Sequence, residues 1–302
     1  LNPDAPGVIL KTHLGIEDKQ RSSIRDCVST IRGLLSDAVQ MDGTSRNNGW
    51  LSKTAVQYLQ ADVALYSGDY ETAITSGNAV IAKANDAYFT SEGISNLWAK
   101  DSYAGRIFAF NTNSTYYSNI QFSMQEGDYF CVNPKLNVGT SDLRYTSFTY
   151  PFVMNGTVRT LLGKYNRCNK LNQTTAYINT MRYAGAYYIV AEAYCRKGET
   201  EAARVLINHY WHCIGVSESP AGITNQALLE LILTDKQREF VGEGVNFFDL
   251  KRTHLASLPR YSQWGTSASS PISSTDYRWN FPIPVSEYRF NSVEQNAGWP
   301  SN

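Results

Sequence analysis

His209, His212 and Cys213 stand in the run His-Tyr-Trp-His-Cys, which at helical pitch lies within one turn. Imidazoles three residues apart suit a transition metal, but a third ligand at a regular spacing is missing nearby. That helix must also pack a face against a partner, so neither a metal nor another cofactor is expected. A second concentration of chemistry is Arg238-Glu239-Phe240-Val241-Gly242-Glu243-Gly244, with two carboxylates four residues apart, followed by Asp249 and Arg252. A glycosidase needs two carboxylates facing across a bond, one with a raised pKa. Arg238, Lys251 and Arg252 would instead keep these acids ionised and paired. The expected role is an ion-pair cluster locking a helix corner. Gly-x-Ser-x-Gly, His-Glu-x-x-His, P-loop and dinucleotide signatures are all missing, and the four histidines supply no evident cast for acid–base or nucleophilic catalysis. The sequence reads as that of a protein other than an enzyme.

Aromatic residues offer a different chemistry. Tyr 20, Phe 12 and Trp 6 are many for 302 residues, and they gather where periodic apolar patterns stop. Trp98, Tyr103, Tyr116, Tyr117 and Tyr129 are interleaved with Asn111, Asn113, Asn119, Gln121 and Arg144, and Trp264 lies in a Ser/Gly-rich loop. A sugar ring packs its C–H face on an aromatic face, while its hydroxyls take amide or guanidinium partners. Trp98, Tyr103, Tyr116, Tyr117, Tyr129, Arg144 and Trp264 are therefore the candidate ligand-binding residues. Tyr116 and Tyr117 are adjacent, so an extended backbone would point them to opposite sides and expose at least one.

The elements that position these residues read as mainly helical. Ser23-Ile24-Arg25-Asp26 opens a helix with a capping pattern, and Ile24, Val28, Ile31, Leu35 and Val39 continue it. Val56, Leu59, Val63 and Tyr66 form a second stripe that stops at Gly68-Asp69, and a third helix starts at Tyr70. Together, residues 52–84 make an αα-hairpin. A second hairpin covers 181–214: Met181, Ala184, Tyr188, Ala191 and Cys195, a break at Lys197-Gly198-Glu199, then Ala202, Leu206, His209 and Cys213. Small residues at the crossing are the grammar of tetratricopeptide-type hairpins. A further helix starts at Asn225 within a C-terminal portion, 225–302. Residues 86–180 form a loop-rich insertion in which Arg106-Ile107-Phe108-Ala109-Phe110 suggests a short strand.

Composition excludes several classes. Lys+Arg 27 balances Asp+Glu 27 and no basic block occurs, so a nucleic-acid partner is not expected. No apolar run reaches bilayer length. Five cysteines without CxxC spacing form neither a disulfide framework nor a zinc knuckle.

Several segments together resemble the SusD/RagB family of outer-membrane nutrient-binding lipoproteins. Asp235 to Arg252 is similar to the block E-R-x-x-E-F-x-x-E-G-x-R-x-F-D-L-x-R, with Val245-Asn246 where the family carries its Arg. Phe281-Pro282-Ile283-Pro284 with Glu287, Asn291, Gln295-Asn296 and Gly298-Trp299 resembles the family's ending, and Arg182 to Tyr194 its R-L-A-E-V-Y-L-I-Y-A-E-A helix. The resemblance implies one SusD-like domain over 1–302, a mainly all-α scaffold with aromatic-rich insertions. It looks N-terminally truncated, starting near the family's Pro-Arg helix at Arg21-Ser22-Ser23. It further implies surface capture of a glycan and delivery to a SusC-like TonB-dependent transporter, with outer-membrane attachment through a lipid anchor outside this chain. A helical-repeat scaffold that holds a peptide or protein partner is the alternative.

Overall fold

The computed structural model describes residues 2–15, 17–41, 50–100, 102–111, 133–154, 156–164, 177–255, 257, 260–261, 268–289 and 292–300. Mainly helical, it runs through α1 (Ile24–Gln40), α2 (Lys53–Ser67), α3 (Tyr70–Ile81), a single 3-10 turn at Asp86–Phe89, and α4 (Ser91–Ala99). The strand β1 (Arg106–Asn111), the one-turn helix α5 (Tyr145–Phe148), and strands β2 (Thr149–Met154), β3 (Thr157–Leu162) and β4 (Tyr177–Arg182) come next. The chain continues with α6 (Tyr183–Lys197), α7 (Thr200–Cys213), α8 (Asn225–Glu239) and α9 (Val245–Thr253). Short pieces β5 (Arg260–Tyr261) and β6 (Ala268–Ser269) and two 3-10 turns, Tyr277–Trp279 and Val285–Arg289, complete it.

Local chemistry sets the helix ends. Ser23, Ser52, Asp69, Thr90 and Thr224 each accept a hydrogen bond from a backbone N–H of the turn they cap. Gly68 and Gly198 end α2 and α6 at φ of 84° and 81°, a conformation costly for any residue with a Cβ. Both hairpin turns thus fall where the sequence places them.

α3 and α6 meet at the centre, and the approach is close. A Cβ on Gly77 of α3 would collide with Val190 Cγ2, and one on Gly185 of α6 would collide with the Tyr58 hydroxyl. The main core gathers Trp98, Phe148, Tyr188, Ile207, Tyr210, Trp211, Leu228, Ile232 and Phe240 around α6. A second cluster, including Ala61, Ala64, Leu65, Ala73, Ile189 and Val190, seals the first hairpin onto α6.

Among the described residues, sheet structure is minor. β1 pairs antiparallel with β4 and β2 with β3, so 106–182 closes back on itself through β1–β4. Met181, expected on a helical stripe, belongs to β4 opposite Phe108. The buried face of α7 also differs from the expected one. Ala203, Ile207, Tyr210 and Trp211 turn inward, whereas Ala202 and His209 are exposed. Both series have helical spacing; Tyr210 and Trp211 bring far more apolar area than the 202-206-209-213 series, so their side wins the core.

Candidate functional site

Two of the aromatic and cationic candidates prove to be interior residues. Trp98 is fully buried, its ring edge-on to Phe148 at 5.6 Å, and its indole N–H has no hydrogen-bond partner among the described residues. Arg144 is 1% exposed, too deep to meet a ligand. Interleaving with polar residues suggested a binding surface for both, but α4 turns Trp98 inward and remote carboxylates draw Arg144 inside. Tyr116, Tyr117, Tyr129 and Trp264, with Asn113, Asn119 and Gln121, lie outside the described residues. Tyr103 is described, and it stands at the surface of the core, half-buried.

Tyr103 has company that the sequence reading missed. Its ring meets Tyr88 edge-on at 5.8 Å, and Tyr88 stacks on Tyr183 at 5.5 Å and 24°. All three are partly exposed. The 3-10 turn supplies Tyr88, the loop before β1 supplies Tyr103, and the first residue of α6 is Tyr183. Gly105 makes the group possible: a Cβ there would sit 2.5 Å from Tyr103 Cε1 and 3.1 Å from Tyr88 Cγ. Burial, reinforced by Tyr88 and Glu92, pushes the Tyr103 phenol up to about 12, so it is a neutral donor over the physiological range. Three phenols with part of their faces open suit C–H packing and hydroxyl hydrogen bonding. The only sequence signal was Tyr88 beside Phe89 in an otherwise polar stretch.

Arg144 instead anchors a buried charge network. Its guanidinium donates to Asp142 at 2.7 Å, Asp235 at 2.8 Å and Glu239 at 2.8 Å. Arg182 donates to Glu239 and, at 2.9 Å, to Glu243; Lys164 reaches Glu243 at 2.5 Å and the Glu239 carbonyl at 2.6 Å. Tyr188 and Trp211 donate to Asp235 at 2.5 and 2.8 Å. Aromatic faces wall the cations: Lys164 Nζ lies 3.9 Å from the Phe148 centroid, and the Arg182 guanidinium carbon 4.3 Å from that of Phe240.

The protonation states follow from this packing. Burial alone would raise the Glu239 carboxyl, but Arg182, Arg144 and Lys164 outweigh it and hold the group at about 2. Burial lowers Lys164 to about 8 despite Glu243 beside it. Glu239 and Glu243 are thus a locked structural pair, as the sequence suggested. Their partners are the distant Arg144, Lys164 and Arg182, whereas Arg252 pairs with Glu192 at 2.6 Å and Asp249 at 2.7 Å.

The histidine pair also divides. His212 turns to Glu218 at 3.1 Å, and His209 Nε2 approaches Asp86 at 3.0 Å. Asp86, His209 and Cys213 converge with their ligand atoms within 4.8 Å of one another. The carboxylate of this cluster comes from the 3-10 turn, 123 residues before His209.

A model of the SusD family matches residues 39–299. The chain belongs to the SusD family. Solved structures repeat its fold at low identity. A SusD superfamily protein from Bacteroides thetaiotaomicron superposes with a TM-score of 0.76 at 22% identity, covering 97% of this chain and 71% of its own. A SusD-like carbohydrate binding protein from Bacteroides vulgatus gives 0.77 at 18%, covering 96% and 70%. A SusD superfamily protein from Parabacteroides distasonis gives 0.72 at 16%, covering 98% and 74%. None of the curated proteins matches the chain. Placed on the SusD fold, Asp235–Arg252, which carried the resemblance, forms scaffold: it supplies carboxylates to the buried network. Among the described residues, no helix is long and apolar enough to cross a membrane.

Proposed function

We propose that this SusD-family chain captures a glycan at the cell surface without cleaving it and passes it to a SusC-like TonB-dependent transporter of the outer membrane. Attachment there would be through the lipid anchor the family resemblance implies. The family match across 39–299 carries the reading, and a carbohydrate-binding protein of the same fold supports it. The tyrosine trio Tyr88, Tyr103 and Tyr183 supplies a surface of the right chemistry, with Tyr116, Tyr117, Tyr129 and Trp264 as further candidates. A non-catalytic role accords with the state of the acids. Glu239 is ionised, buried and salt-bridged, so it cannot act as the raised-pKa acid of a glycosidase.

Affinity electrophoresis against a panel of polysaccharides and host glycans, with reducing ends followed in the same samples, tests this. One glycan class should retard the chain, and Tyr103→Ala should weaken that binding roughly tenfold with helix content unchanged. Reducing ends that accumulate with time would overturn the non-catalytic reading. Binding of peptides with no glycan retained would replace it by the helical-scaffold alternative.

A further inference from the structure

We propose that Asp86, His209 and Cys213 form a binding site for a single transition-metal ion, zinc by the chemistry of its donors. The three residues offer one carboxylate oxygen, one imidazole nitrogen and one thiol sulfur, all within 4.8 Å of one another. Zinc takes this mixture at bond lengths of about 2.0–2.3 Å, which in a tetrahedron sets donor atoms roughly 3.3–3.6 Å apart. His209 Nε2 and Asp86 Oδ1 are already 3.0 Å apart. Side-chain rotations of about an ångström therefore complete the site. Calcium and magnesium take oxygen ligands almost exclusively and have no use for the thiol.

The surroundings favour a cation and fix its ligands. His209 and Cys213 lie one turn apart on α7, on the same face, and Cys213 is the last residue of that helix. The carbonyl end of a helix carries partial negative charge. The His209 ring lies nearly parallel to Tyr187, 6.1 Å between centroids at 23°, which limits its rotation. Asp86 projects from a 3-10 turn whose last residue, Phe89, is buried against Tyr187 and Tyr210, so the backbone behind the carboxylate is anchored. Asp86 and His209 are exposed, which leaves an ion open to solvent. With three protein ligands the fourth position falls to water or to an oxygen of another molecule. On binding, the Cys213 thiol gives up its proton to solvent and the sulfur bonds the metal; no oxidant or reductant is involved.

Cobalt(II) is the direct probe, because tetrahedral thiolate ligation gives a near-ultraviolet charge-transfer band together with intense visible d–d bands. The whole chain, reduced and held under nitrogen, should develop both with one equivalent of cobalt, and one equivalent of zinc should bleach them. Cys213→Ser should abolish the charge-transfer band. His209→Ala should weaken zinc at least tenfold in competition with a chromophoric chelator, since even outer-shell changes cost that much. His212→Ala, whose imidazole is engaged with Glu218, should change neither. His209 and His212 are exposed and Cys213 is partly buried, and far-ultraviolet dichroism verifies that each variant is folded. Absence of the band in the parent chain overturns the proposal. So does its persistence in Cys213→Ser, which would assign it to another cysteine, or its loss in His212→Ala.

Discussion

Replacing Glu239 by Gln tests whether the charge network holds the molecule together. The carboxyl is 1% exposed and accepts from Arg144 at 2.8 Å and from Arg182. Its pKa is about 2 in the fold against an ordinary 4.5. At roughly 1.4 kcal/mol per pH unit, that gap gives about 3 kcal/mol of linkage. The folded pKa is the lower one, so the stabilisation is fully present above pH 4.5 and is lost as pH falls towards about 2. Gln keeps the volume but leaves two guanidiniums short of an anion, and breaking a buried pair from one side costs about 3–5 kcal/mol. Urea unfolding followed by tryptophan fluorescence reads this directly. With an m-value of about 3 kcal/mol/M, the midpoint at pH 7 should fall by roughly 1 M or more. The variant should also lose about 1.4 kcal/mol per pH unit of slope on the acid side between pH 4.5 and 2 relative to the parent. A midpoint within about 0.3 M of the parent, or an unchanged acid limb, would refute the assignment of Glu239 as an ionised keystone.

Lys164 gives the opposite limb. Its pKa falls from 10.5 to about 8 on folding, so above pH 8 the unfolded chain binds more protons and stability rises with pH. Stability measured at pH 8 and 9 should therefore show a positive contribution of up to about 1.4 kcal/mol in the parent. Lys164→Met should lack it, and equal slopes in the two proteins would contradict the burial assigned to this ammonium. Trp98→Ala should cost about 3–5 kcal/mol by thermal or urea unfolding, as removal of a fully buried aromatic does. Glycan affinity lost in that variant without loss of stability would return Trp98 to the binding surface.

What could be read from the sequence was what is encoded locally. Ser52, Gly68, Asp69 and Gly198 mark their helix ends through capping and positive φ, and they do so whatever packs nearby. Arg106 to Phe110 reads as a short strand and is one, although its partner β4 was invisible because pairing across about seventy residues leaves no local trace. Faces were harder. On α7 the series 202-206-209-213 and 203-207-210-214 have the same spacing, and only the aromatic bulk of Tyr210 and Trp211 decides between them. Site residues were hardest. Arg144 sits among Ser, Thr and Tyr that suggest a surface, and its burial depends on Asp235 and Glu239, more than ninety residues away. Tyr88 and Asp86 were unremarkable in sequence, and each acquires a role only from α6 or α7 beside it.

The buried network joins seven charged side chains: Asp142, Arg144, Lys164, Arg182, Asp235, Glu239 and Glu243. Substituting one of them breaks a buried pair from one side, whereas an apolar set replacing all of them could pack at little cost. Asp235, Glu239 and Glu243 of the segment that carried the resemblance are all engaged in this network, so the part of the chain easiest to recognise is the part that says least about what is bound.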